Sequence, residues 1–246
     1  MSVLSSFFRK IKKLLVEHWD FRTQKSPIQR EEQKNIIDHI ETYFGNADSV
    51  LTDDQDEIDI YIVNPTLERP CYTLFTQGMS DRPMHVPPDM DGYEYAELLL
   101  HLPFYWTLDH RPENYWPIEW LKRLARYPRD HDTWLFYGRL IKGREDGKAF
   151  AFNTELRCFT LGATRMLPKD SDRDAFSMLE VSPGKIVYFF TIIPLYVDEA
   201  IYRQDHSAEE LFALFDKKNI SDIIDVRRCK AVILEELELE ESEVIS

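Results

Sequence analysis

Carboxylates are the first residues whose spacing suggests chemistry. Asp53, Asp54, Asp56, Glu57 and Asp59 crowd one short stretch, and clustered carboxylates can hold a divalent cation. The run lacks the central glycine and the closing glutamate of a calcium loop, and an acidic run ahead of a strand is ordinarily solvated, so no metal ligand is assigned. Ser80 has no histidine beside it to activate it as a nucleophile. The seven histidines are scattered, with no HExxH and no close pair. His101 lies inside an apolar run and reads as a packed residue. Asp130-His131-Asp132 reads as a turn. The phosphate-cradling patterns GxGxxG and GxxxxGK[ST] and the GxSxG elbow are absent. These patterns predict a protein that is not an enzyme, with no catalytic residue, metal or cofactor. A metal-dependent enzyme built on Asp53 to Asp59 is the alternative.

The richest stretch runs from Tyr72 to Pro103. Two strand-like runs flank a polar loop with Asp81, Met84, Asp89, Asp91, Tyr93 and Glu94. Acids, methionines and tyrosines together suit recognition of another protein. Tyrosine anchors, methionine adapts, and carboxylates select the partner's charge. A packed, well-capped connection is the competing reading of the same residues.

The elements that must position this loop follow from periodicity. Ser26 caps a helix that starts at Pro27 and ends before Gly45, with Ile36, Ile37, Ile40, Tyr43 and Phe44 as its apolar stripe. Strands are expected at 58–63, 71–78 and 96–103. A helix is expected over 116–130, stopped by Pro128. Further strands are expected at 133–141, 156–162, 176–181 and 185–195, the last apolar enough for a central position. Ser207 and Glu210 form a capping box for another helix. Ahead of all these, Leu4, Phe7, Phe8, Ile11, Leu14 and Leu15 recur at helical spacing, with Arg9, Lys10, Lys12 and Lys13 between them. That helix either docks its stripe on the domain or lies on a membrane surface; it does not read as a secretory signal.

Composition sets the class. The chain has 246 residues, 43% of them hydrophobic, and a formal net charge of −14. It is globular, and its acidity disfavours general nucleic-acid binding while suiting a basic protein partner. Cys71, Cys158 and Cys229 are too few and too far apart for a disulfide framework, which points to a reducing cytoplasm. No apolar run is long enough to span a bilayer. The expected fold is a single α+β domain, a mixed and mostly antiparallel sheet flanked by helices, with two N-terminal helices. Residues 1–46 form the N-terminal helical segment, 47–232 the main domain, and 233–246 an acidic tail.

Four short motifs in order resemble the suppressor-of-fused (SUFU-like) domain: Gly78-Met79-Ser80-Asp81, Glu97-Leu98, Trp116-Pro117 and Asp225-Val226-Arg227-Arg228. The resemblance covers roughly Leu51 to Arg228. It implies a non-catalytic protein-binding domain. Eukaryotic members restrain Gli-type transcription factors in Hedgehog signalling, the partner peptide adding as a strand between two lobes. Bacterial members stand in toxin–immunity clusters. The chain ends soon after Arg228, without a second lobe, so it looks like the short bacterial form, an immunity protein that neutralises a basic toxin. Counting back from Glu97, Asp89 takes the place of the family's partner-contacting acid. The resemblance also implies structural work for Gly78, Met79, Ser80, Glu97, Trp116, Asp225 and Arg227, with Glu97 or Asp81 satisfying buried backbone or pairing with Arg227.

Overall fold

The computed structural model describes residues 25–52 and 57–234. Helix α1 spans Pro27–Phe44, and its start is fixed by a full capping box: the Ser26 hydroxyl accepts from the Gln29 amide and the Gln29 side chain accepts from the Ser26 amide. Gly45, at φ 86°, ends it. The first of the two predicted N-terminal helices, the acids 53–56 and the tail from 235 onward lie outside the described residues.

One open, eight-stranded sheet organises the chain. Its strands are β1 (Ser49–Leu51), β2 (Asp59–Val63), β3 (Cys71–Gln77), β4 (Tyr95–Pro103), β5 (Leu140–Lys142), β6 (Cys158–Gly162), β7 (Met178–Ser182) and β8 (Lys185–Leu195). The order is β1-β2-β3-β4-β8-β6-β5, with β7 beside β8. β4 and β8 run parallel; the other pairs are antiparallel. β8 is central. It pairs with β4 on one edge and with β6 and β7, end to end, on the other. This accounts for its unbroken apolar run.

Alternation along the strands sorts the two faces. Ala96, Leu98, Leu100 and Leu102 of β4 pack beneath helix α2 (Pro112–Asp130) with Trp116, Trp120, Leu121 and Leu124. Leu99, Phe75 and Phe189 pack on the other face with Ile36, Ile40 and Phe44 of α1 and with Phe176 of the short helix α3 (Arg173–Ser177). Ile193 and Leu195 meet Ala200 of α4 (Val197–Asp205) and Leu211 and Phe215 of α5 (Ala208–Lys217). Asn35 of α1 donates to the carbonyl of Val181 at 3.1 Å and so covers the outer edge of β7.

Several expectations shift. α2 begins at Pro112, not at Trp116, and passes through both Pro117 and Pro128. Pro117 has no amide to offer the carbonyl of Glu113; the side chain of Asn153 donates to it instead, at 3.3 Å. The predicted strand 133–141 reduces to Leu140–Lys142, because Trp134 to Tyr137 pack as an irregular segment against the α2 face. β1, α3 and α4 were not expected.

Candidate functional site

One end of the sheet gathers the start of β2, the β3–β4 loop, the start of α1 and the end of α2. The loop is held there by Glu97, which is fully buried in β4. Its Oε1 accepts from the amides of Gly78 and Ser80, both at 3.0 Å, and from the Ser80 hydroxyl at 2.6 Å. Its Oε2 accepts from the Thr76 hydroxyl at 2.6 Å. These four donors favour the carboxylate, but burial outweighs them and raises its pKa to about 7. Gly78 has φ 113°, and a Cβ there would lie 2.5 Å from the carbonyl oxygen of Glu57, so only glycine fits. Ser80, 1% exposed and committed to Glu97, is no available nucleophile.

The rest of the loop is pinned as firmly. Asp81 accepts from both Gln33 (2.9 and 3.0 Å) and Lys25 (3.0 Å), which ties the turn to α1. Met84 is buried; its amide donates to the carbonyl of Glu94 at 2.7 Å, and its sulfur lies 3.3 Å from the amide of Leu135. Tyr93 packs edge-on to Phe136 and beside Tyr188. The Gly92 amide donates to Glu94 and holds its carboxyl below the usual range. Asp89 and Asp91 are exposed. Of the six residues expected to meet a partner, Asp81 and Met84 therefore have internal partners, Asp91 and Glu94 line a cleft, Asp89 is exposed but does not line it, and Tyr93 braces the loop from behind.

That cleft, of about 780 Å³, opens between the loop and the C-terminal end of α2. Ile58, Met79, Met84 and Val86 supply apolar surface; Pro83, Pro87, Pro88 and Pro128 stiffen the walls. Charges of both signs surround it: Asp91 and Glu94 from the loop, Arg82 beside them, Arg126 and Arg129 from α2, and Asp132 beyond. Glu57 pairs with Arg82 at 2.8 Å and with Arg129 at 3.6 Å, and His85 lies 2.9 Å from Asp132. Sequence reading missed the arginines of α2. They were legible as the polar face of an amphipathic helix, but what that face meets is set by the fold.

Among the described residues no group of three or more His, Cys, Asp or Glu could hold a metal, and none of the helices is long and apolar enough to cross a membrane. His101 is buried between the hydroxyls of Thr73 (3.1 Å) and Thr164 (3.0 Å), and burial lowers its pKa to about 4.

The last motif does its work elsewhere. Arg228 makes a bidentate pair with fully buried Glu199, both contacts at 2.6 Å, and also donates to the carbonyl of Pro194. Glu199 further accepts from the amides of Tyr196 and Ala231. Asp225 caps a turn by accepting from the Arg227 amide at 2.9 Å, while the Arg227 side chain is exposed. Arg228, rather than Arg227, is thus the buried cation, and its carboxylate is Glu199 rather than Glu97. Trp116 is 2% exposed and stacks on Phe150.

A mixed sheet with helices on both faces, bearing a braced loop over a charge-rimmed cleft, defines a small α+β domain. The family profile described as Suppressor of fused protein (SUFU) matches residues 54–229, and the chain belongs to that family. Solved structures agree on the fold. A SUFU homolog from Neisseria gonorrhoeae superposes with a TM-score of 0.58 at 18% identity, over 83% of this chain and 98% of that one. A chain of the Sufu–Fu complex gives 0.57 at 15%, over 87% and 95%. Drosophila Suppressor of Fused gives 0.58 at 17%, over 86% of this chain but 54% of its own. No curated protein matches the sequence.

Proposed function

We propose that this chain is a non-catalytic protein-binding domain that neutralises a partner, as an immunity protein does its toxin, by seating part of it in the cleft between the β3–β4 loop and the end of α2. The observation that carries this reading is the cleft itself: an apolar floor ringed by Asp91, Glu94, Arg82, Arg126 and Arg129, on walls locked by Glu97 and four prolines. Pre-organised walls reduce the entropy lost on binding, and charges of both signs select one docking register. A structural relative solved as a Sufu–Fu complex supports protein recognition by this fold. Three free thiols support a reducing, cytoplasmic setting. In this reading Asp91 and Glu94 contact the partner directly and Asp89 lies at the rim, while Asp81, Met84 and Tyr93 hold the loop in shape.

The test is capture from the source organism's lysate with four baits: wild type, Asp91→Arg with Glu94→Arg, Arg126→Glu, and Lys217→Glu on α5 as a distant control. A near-stoichiometric protein held by wild type and the control, and lost from the two cleft variants, is expected. Retention of that protein by the cleft variants overturns the assignment. Expression of the captured protein alone then tests neutralisation. It should arrest growth, and co-expression of this chain should restore it; a harmless partner removes the immunity role.

A further inference from the structure

We propose that the end of the sheet away from the cleft is a self-association face, on which a second copy of this chain docks about a two-fold axis. The proposal is independent of the reading of the cleft, which such a dimer leaves open on both copies.

Three observations carry it. The first is exposed apolar surface. Among the described residues ten large hydrophobic side chains stay exposed, and six of them, Leu67, Phe104, Tyr105, Leu108, Phe152 and Val197, sit where β2 and β4 end and where α2 and α4 begin. The segments that bear them are tied together. The Phe104 amide donates to the Pro70 carbonyl at 3.2 Å, which joins the loop after β4 to the β2–β3 turn. Trp106 Nε1 donates to the Asn114 carbonyl at 2.9 Å, and Asn153 donates to that of Glu113, so the loop bearing Phe152 meets the start of α2. Phe152 then shares a hollow of about 480 Å³ with Tyr196, Val226, Arg227 and Lys230.

The second is area. Phe104, Tyr105, Phe152 and Leu67 are 61%, 64%, 83% and 104% exposed. With about 200 Å² for a whole aromatic side chain, the six residues expose on the order of 600 Å². That is the upper end of what a monomer leaves uncovered, and close to the roughly 800 Å² that each side of a standard interface buries.

The third is charge, and it selects the occupant. The chain carries −14, so two copies repel one another over most of their surface. The segments that build this end, 64–70, 104–113, 150–157, 196–199 and 225–230, hold six Lys and Arg against seven Asp and Glu, nearly neutral in an acidic molecule. A basic partner is drawn to the acidic remainder, and an acidic partner is repelled by the whole. A second copy meets the least repulsion here. Projecting side chains and a hollow on one face also let each copy seat the other's, as an isologous contact requires.

The experiment is sedimentation equilibrium of the full chain. Phe104→Glu with Phe152→Glu is the test variant, and Ile28→Glu, which alters an exposed apolar residue of α1, is the control. At about 50 µM, wild type and control should weigh near twice the 29.2 kDa chain and the test variant close to the single mass. Salt screens the repulsion between two acidic copies, so the wild-type dimer should tighten about threefold between about 0.05 and 0.5 M. Matching thermal melts check that the test variant is folded; if it is not, Leu67→Glu at the tip of the β2–β3 turn replaces it. Wild type at the single mass, or a dimer that the test variant retains, overturns the proposal. A monomeric wild type that loses a captured lysate protein through the same two substitutions gives the face to another protein, and overturns it too.

Discussion

At the scale of single residues, Glu97 and Gly78 define the site's shape. Gly78→Ala places a side chain at φ 113° against the Glu57 carbonyl, and should cost about 1–3 kcal/mol, read as a lower urea midpoint with unchanged m-value. Glu97 makes a prediction with a sign. Its folded pKa, about 7, lies above its ordinary value, so the folded state binds the proton more tightly. The stability this contributes is complete below about pH 4.5 and is lost as pH rises through 7. Glu97→Gln should remove that slope. A wild-type midpoint that does not fall, relative to the Gln variant, between pH 5 and 8 would falsify the assignment. The resemblance gave structural work to Gly78, Ser80 and Glu97, in two separate motifs. It could not show that the carboxylate closes on the turn rather than on Arg227, since that depends on which face of β4 carries residue 97.

At the scale of elements, the two motif arginines should separate cleanly. Arg228→Met strands Glu199, whose side chain is 0% exposed, and removing one partner of a buried pair costs about 3–5 kcal/mol. Arg227→Ala alters an exposed side chain and should stay within about 0.5 kcal/mol. Equal losses in chemical denaturation would refute the division of labour. Asn153→Ala should cost about 1 kcal/mol by orphaning the Glu113 carbonyl that Pro117 leaves unpaired. Strong periodicity made α1, α5 and the core strands legible, caps included. The weaker signals failed for physical reasons. Pro117 reads as a helix start, and only a side chain from a distant loop lets α2 begin a turn earlier. Trp134 to Tyr137 have strand propensity, yet packing against the α2 face prevails over it. The cleft was half legible, because its loop wall is one continuous stretch while its helix wall lies some thirty residues on.

At the scale of the whole molecule, two buried titrating groups pull stability in opposite directions. His101, its pKa lowered to about 4, adds stability that is lost as pH falls from 6.5 through 4; Glu97 adds stability that is lost as pH rises from 4.5 through 7. Between about pH 4.5 and 6.5 the two slopes oppose each other. Thermal melts should therefore climb with pH in Glu97→Gln and decline with pH in His101→Asn, measured against wild type over that window. Parallel profiles in all three proteins would show that neither group is linked to folding.

The parallel pairing of β4 with β8 also bears on how the protein is made. On the ribosome β1 to β4 emerge early, but residues 104–184 must follow before the strand that flanks β4 exists. Until then Tyr95 to Leu99 sit on an unpaired sheet edge, the kind that recruits other chains. Closing so long a loop is slow. Nascent chains halted before Lys185 should therefore aggregate or hold a chaperone, and release should coincide with synthesis of β8.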